Sequence, residues 1–349
     1  MQLESQPNGT PSQVSFSDPL PKWALMPGQT YTLGRLDISD ITITSDTSVS
    51  KSHAKITVRP GRGSARPEVI LEDVGSKFGI HLNEGILAGT AAQPRRSEIS
   101  VLSRALKEPY KMKDNDRVRL GVAFTIFRLI WSELHVTSSM MKTKADKQSL
   151  VEMMKKVDSR LELESQMTDS TTHLVMDRIS LSNKVVRCLA KCVPIVSSQY
   201  FRDLVQCLNT RQKLPHESAY LPPVAETELQ LRDHSISFSL NPARGKLLAG
   251  KTFVFLSEEQ HRETSPCCRL AGGRAVLWTK EADMEAISAN HVVIKPPANI
   301  SQAVKSQEGL VWSAITAALR AQDRVAVSHT DIFLAIVHCS TDFYCNTER

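Results

Sequence analysis

The sequence is poor in the signatures that enzymes and metal proteins carry. It has no G-x-x-x-x-G-K run to cradle a nucleotide, no G-x-S-x-G turn for a nucleophilic serine and no H-E-x-x-H helix for zinc. Acidic residues nowhere cluster at metal-binding spacing, and Asp114-Asn115-Asp116 reads as a turn. No catalytic residue, metal or cofactor is therefore assigned. The seven cysteines are an odd number and include no pair of C-x-x-C units. Buried thiols in a reducing compartment fit better than structural zinc. Cys188 and Cys192 share a helical face but have no second ligand pair near them. Long apolar runs are missing too, so no membrane span is expected. The first residues lack the basic start and apolar run of a secretory signal. Basic residues number 43 against 37 acidic ones, a net charge of +6, but never stand five or six in a row. A spread excess of this kind suits phosphorylated or acidic partners better than direct DNA contact.

What the chain has is apolar material for several cores. Of 349 residues 41% are hydrophobic, enough for two or three domains. Residues 1–21, rich in Gln, Asn, Ser, Thr and Pro, read as a flexible tail. Strand-like patterns follow at Ile38/Ile41/Ile43, Ala54/Ile56/Val58 and Val69/Leu71, with polar residues between. Residues 85–115 contain Pro94-Arg95-Arg96 and Pro109 and read as a long surface insertion between strands. Val118, Leu120 and the run 124–131 close the β domain.

Between these strands lies an ordered set of polar residues: Gly34-Arg35, then Ser50-Lys51-Ser52-His53, then Asp73-Val74-Gly75-Ser76-Lys77-Phe78-Gly79, then Asn83. A guanidinium can donate two parallel hydrogen bonds to phosphate oxygens. A serine hydroxyl and backbone N–H groups add donors, and a lysine supplies a point charge. No nucleophile has an oriented base here, so the chemistry is binding. Each fragment alone could be a solvated turn; the set in this order points to phosphate.

This set resembles the signature of the forkhead-associated (FHA) family, β-sandwiches that bind phosphothreonine peptides. The resemblance implies that Arg35 and Ser50 hold the phosphate, with Lys51, Ser52 and Lys77 beside them. Gly34, His53, Gly79 and Asn83 would be structural, His53 bracing the loop by a buried hydrogen bond. Phe78 stands where many members have an asparagine that contacts the peptide backbone, and Ile80 where threonine is usual.

From about Glu133 the period changes to helix and strand in alternation, the mark of a small parallel α/β unit. Helices are expected at 149–157, 183–192 and 199–208, with strands at 172–176 and 194–196. After a connector at 211–248, stiffened by Leu214-Pro215 and Pro222-Pro223, the pattern recurs. Strands are expected at 252–256, 275–278, 291–294 and 334–338, with helices at 258–271, 302–306 and 312–320. The second copy resembles a BRCT domain, with a buried first strand, Gly272-Gly273 after the helix and Trp312 on a later helix. The first copy matches more loosely.

The expected fold is thus an all-β FHA sandwich (22–132) followed by two α/β BRCT domains with small parallel sheets (133–210 and 249–346). BRCT pairs of this family bind phosphoserine through a Ser/Thr-Gly element and a helix lysine. Lys184 matches that lysine, whereas Ala145-Asp146-Lys147 falls where the Ser/Thr-Gly element is expected. The domain order resembles the adaptors of DNA double-strand-break nuclease complexes. It implies a nuclear protein that binds phosphorylated damage-response proteins, and that reaches nuclease and ATPase subunits through a C-terminal tail beyond Arg349. The competing readings are a scaffold without phosphate recognition, and direct DNA binding through Lys142, Lys144, Lys147, Lys155 and Lys156.

Overall fold

The structure, a computed structural model, describes residues 1–5, 20–63, 65–82, 106–122, 125–225, 236–278, 287–302 and 307–348. It has two compact units, Met1–Glu133 with Phe201–His216, and Leu134–Tyr200 with Glu217–Arg349.

The first unit is a sandwich of two five-stranded sheets. One runs β2 (Lys22–Ala24), β1 (Gln2–Ser5), β10 (Thr125–Ile130), β9 (Arg117–Leu120), β7 (Ile80–Leu82). The other runs β4 (Ile41–Thr42), β3 (Thr30–Gly34), β5 (Ala54–Arg59), β6 (Glu68–Asp73), β8 (Tyr110–Met112). Ala54, Ile56 and Val58 of β5 are buried and alternate with Lys55 and Thr57, so alternation in the sequence becomes one dry and one wet face. The dry faces enclose Leu33, Ile56, Leu71, Ile80, Leu120 and Leu129.

Two expectations change here. The tail at 1–21 begins with a strand: β1 is inserted between β2 and β10, with Leu3 fully buried opposite Trp23 and Leu129. Glu4 bonds Arg128 at 2.7 Å and pairs with Lys22 at 3.6 Å, which fixes the register. Four residues of alternation are too short to be read against the polar composition that follows them. The rest of that tail, 6–19, lies outside the described residues. Within the insertion at 85–115, β8 pairs with β6, while 83–105, including Arg95 and Arg96, lie outside the described residues.

Phe201–His216 count with the sandwich. Arg211 donates to the Thr30 carbonyl and to Asp40 at 3.0 Å, its guanidinium over the Tyr31 ring, and Leu214 N–H donates to the Lys22 carbonyl. The last residues expected in the first α/β copy, and the start of the connector, therefore belong here.

The second unit holds two parallel sheets. The first is ordered β12 (Leu163–Glu164), β11 (Val136–Ser138), β13 (His173–Val175), β14 (Ile195–Val196). Between its strands run α1 (Lys144–Val157) and α2 (Asn183–Lys191); α3 (Gln199–Thr210) follows β14 in the chain, and from Phe201 on it counts with the first unit. The second is ordered β16 (Arg274–Leu277), β15 (Thr252–Phe255), β17 (His291–Val293), with α4 (Glu258–Leu270), α5 (Ala298–Ser301), α6 (Gln307–Arg320) and α7 (His329–His338). Helices α2, α4 and α7 pack together, and Val185, Leu189, Cys267, Cys268, Ile336 and Val337 join both layers into one core.

The strand expected at 334–338 is instead part of α7. Ser328 and Asp331 form a reciprocal capping box, and Ile332, Phe333, Ala335, Ile336 and Val337 are all buried. A short apolar run buried on most sides reads alike as strand or helix. Of the helix expected at 302–306, Gln302 is the C-cap of α5 and 303–306 lie outside the described residues. Strand β11, at the centre of its sheet, has no counterpart in the sequence reading.

The connector is anchored. Ile179 N–H donates to the Pro223 carbonyl, and Ala225 N–H returns to Ile179. Arg244, fully buried, donates to the carbonyls of Ile336 at 2.9 Å, Ser239 at 2.6 Å and Val337 at 3.3 Å, and to that of Ser237. A guanidinium buried without a carboxylate is tolerable only because carbonyl oxygens satisfy its donors.

Candidate phosphate-binding site

The site is built at one end of the sandwich by three loops. The β3–β4 loop carries Arg35, the β4–β5 loop Ser50 to His53, and the β6–β7 loop Val74 to Gly79. Gly34 lets the first two meet, because a Cβ there would lie 2.2 Å from the Lys51 carbonyl oxygen. Arg35 N–H donates to the Ser50 carbonyl at 3.1 Å, and Leu36 N–H to that of Lys51 at 3.4 Å.

His53 is fully buried and joins two of the loops. Its Nδ1 accepts from the Ser50 N–H at 3.0 Å, so the proton sits on Nε2, which donates to the Gly79 carbonyl at 3.0 Å. Gly79 holds φ +73°, where a side chain would be strained. Ser50 Oγ accepts from the Lys77 N–H at 3.0 Å, so its own proton is free to point at a ligand.

Arg35, Lys51, Ser52 and Lys77 are exposed. Among the described residues the three cations pair with no carboxylate; Lys77 Nζ lies 5.2 Å from the Phe78 ring centroid. Bonds at Ser50 thus hold the loops that carry Arg35, Lys51, Ser52 and Lys77 together. Asn83 lies outside the described residues.

Asp46, Ser48 and Thr125 escaped the sequence reading, while Asp73 and Ser76 stood in the motif without a role. Asp46, buried, accepts from Ser48 N–H at 2.9 Å, Ser48 Oγ at 2.6 Å and Thr125 Oγ1 at 2.7 Å, tying the Ser50 loop to β10. Burial pushes its carboxyl up, but these bonds outweigh it and hold the carboxyl below its usual value. Asp73 accepts from Gly75 N–H and Ser76 N–H, and Ser76 Oγ accepts from Gly79 N–H at 2.9 Å, which shapes the third loop. Asp46-x-Ser48 is a local turn pattern that could have been noticed. The Thr125 partner, 79 residues away, could not.

In the second unit Lys184 does reach the end of the first strand. Its ammonium donates to the carbonyls of Ser138 at 2.9 Å and Ser165 at 2.8 Å and approaches Thr137 Oγ1 at 3.4 Å. The residues that follow that strand are Ser139 and Met140, not Ala145-Asp146-Lys147. The latter form the first turn of α1, where Asp146 completes a capping box with Thr143. The missed strand β11 is the reason for the shift. Met140 holds φ +52°, a conformation that favours glycine. All three donors of Lys184 have protein acceptors, and burial pulls its pKa down. Lys142, Lys144, Lys147, Lys155 and Lys156 are exposed, with Asp146 and Glu152 interspersed.

Known proteins resemble both halves. The FHA-domain family model matches residues 31–121. The model described as the second BRCT domain on Nijmegen syndrome breakage protein matches residues 242–347. The chain is 30% identical to nibrin of Gallus gallus over 344 residues, 96% of this chain and 42% of that protein. Nibrin of Mus musculus is 25% identical over 335 residues, 93% of this chain and 41% of that protein. The structure of the S. pombe Nbs1 FHA-BRCT1-BRCT2 domains is 20% identical with a TM-score of 0.36, covering 86% of this chain and 95% of that one. The chain spans less than half the length of these two nibrins.

Fold and family models together define a protein of the FHA–BRCT class. Within that class the chain belongs to the nibrin family, as its N-terminal FHA–BRCT region.

Proposed function

We propose that this chain reads phosphothreonine for a nuclear adaptor of the double-strand-break and checkpoint response. Arg35 and Ser50 hold the phosphate, Lys51 and Lys77 supply charge, and Ser52 adds a donor at the rim. His53, Gly34 and Gly79 keep the three loops in register, and Asn83 is assigned a structural part by its place in the family pattern. The observation that carries this reading is that backbone bonds hold three exposed cations, unpaired among the described residues, on loops beside the Ser50 hydroxyl at one sandwich end. The domain division into an FHA sandwich, two BRCT domains and a connector is part of the same proposal. So are phosphorylated damage-response proteins with acidic flanks as ligands. Association with the nuclease and ATPase subunits of the repair complex is part of the same proposal, assigned to the part of the longer relatives outside the matched region. Lys184, with its donors already used, supports a structural role for the BRCT pair better than a second phosphate site.

The test is a fluorescence anisotropy titration of the whole chain with a labelled phosphothreonine peptide flanked by acidic residues. Binding should require the phosphate. Arg35→Ala should weaken it by about 30-fold or more, the loss of a charge-assisted bond of roughly 2–3 kcal/mol. Equal binding of the unphosphorylated peptide, or of the variant, overturns the reading. Duplex DNA binding that falls steeply with salt, with no phosphopeptide binding, would favour the lysine face of α1 instead.

A further inference from the structure

In the second unit a crevice of about 530 Å³ opens at the carboxyl ends of β15 and β16. Its apolar lining is Leu256 just after β15, Leu277 at the end of β16 and Ile300 of α5. Its charged lining is Glu258, Glu259 and Arg262 of α4 and Glu308 of α6, all exposed. None of these charged side chains bonds or pairs with another group among the described residues. Parallel sheets with helices on their faces hold ligands in this place, outside the carboxyl ends of the strands.

The charge of the crevice follows from its lining. Glutamate in the first turn of a helix is favoured by the helix dipole, which accounts for each acid on its own helix. It does not account for two such turns lining one hollow with an apolar floor. Each helix end adds only roughly half a positive charge, so the carboxylates outweigh the ends and the Arg262 guanidinium together.

The other sheet shows what this place accepts. There the carboxyl ends of β11 and β12 are closed by a cation of the chain itself. The Lys184 ammonium of α2 donates to the carbonyls of Ser138 at 2.9 Å and Ser165 at 2.8 Å. Helix α2 follows β13; the helix that follows β17, the matching strand of the second sheet, is α5. Its residue at the crevice is Ile300, and among the described residues no lysine lines the hollow. One copy of the α/β unit supplies its own ammonium here; the other leaves the place open, with carboxylates around it.

We propose that this crevice binds a basic segment of a partner protein, with a lysine or arginine set among Glu258, Glu259 and Glu308 and an aliphatic neighbour covering Leu256, Leu277 and Ile300. The charges around the hollow select the sign of the occupant, and its apolar floor selects the neighbour. No residue of the phosphate cradle enters this inference, so it stands or falls separately from that reading.

Anisotropy titrations of the whole chain with two matched labelled peptides test it, one alternating lysine and leucine, the other with serine for each lysine. The lysine peptide should bind about tenfold more tightly than the serine peptide, and added salt should shrink that advantage. Glu259→Lys and Glu308→Lys should each weaken it by about fivefold, the effect of reversing one partly screened charge. Arg262→Glu should tighten it by about fivefold, a gain that a misfolded variant would not give. Arg35→Ala should leave it unchanged, which separates this site from the cradle. Equal binding of the two peptides, no binding of the lysine peptide, or lysine-peptide binding that the charge variants at the crevice leave unchanged overturns the proposal. Sedimentation of the free chain covers the other occupant: a dimer that Glu308→Lys breaks would assign the crevice to a second copy and overturn the partner segment.

Discussion

His53 is bonded from both sides of its ring, which makes it a strut between loops that would otherwise move separately. Asp46 does the same from below and carries a charge, so its work depends on pH. Its carboxyl is held below the usual range in the folded state. The sign follows: its contribution is present above the unfolded carboxylate pKa and is lost as pH falls through the folded value. Asp46→Asn should therefore flatten the acid side of the stability profile of the first unit. Urea midpoints measured between pH 3 and 7 check this, and an unchanged acid limb would remove Asp46 from the brace. At this scale the sequence was readable where chemistry was local. The proposed phosphate site rests on Arg35, Ser50, Lys51 and Lys77, which type and order single out. The contact between Asp46 and Thr125 exists only after the sheets have closed.

Elements were legible where alternation or helical period ran long enough. β5 and β10 show this, with every second residue buried. β1 and β11 were not, since three or four residues carry too little period. Their importance is out of proportion to their length, for each lies between two other strands of its sheet. Leu3 has no exposed surface, and Leu3→Ala should cost about 2–5 kcal/mol. Amide exchange followed by mass spectrometry should show protection lost across β1, β2 and β10, with the second unit unaffected. Unchanged protection would mean that β1 is only laid on the sheet. α7 shows the opposite failure: its run of apolar residues was visible, but only the Ser328–Asp331 box decides that it coils.

Over the whole molecule, the two units should respond to opposite ends of the pH scale. Cys188, Cys267 and Cys345 sit in the second unit with thiols pushed up to about 12 by burial, and burial raises Cys268 as well. In the unfolded chain these thiols ionise at about 8.5, so stability is intact below that pH and declines as pH rises above it. Denaturation midpoints of the second unit should fall between pH 8 and 10. Iodoacetamide at pH 8 should label Cys192, Cys207 and Cys339, which are only partly buried, before the other four. Equal labelling rates would contradict the packing. The sequence foretold buried thiols from an odd count without metal spacing. It did not foretell that three helices from two α/β layers gather them into one core.

Arg244 ends the matter of the connector in a different way. By sequence, the Arg244-Gly245 bond is one that a protease reading basic side chains would choose, in a stretch that looks like a spacer between domains. In the folded chain the side chain such an enzyme must grip is inside the protein, held by the last carbonyls of α7. Cleavage there has to wait for the unit to open, so the bond reports global unfolding rather than local access.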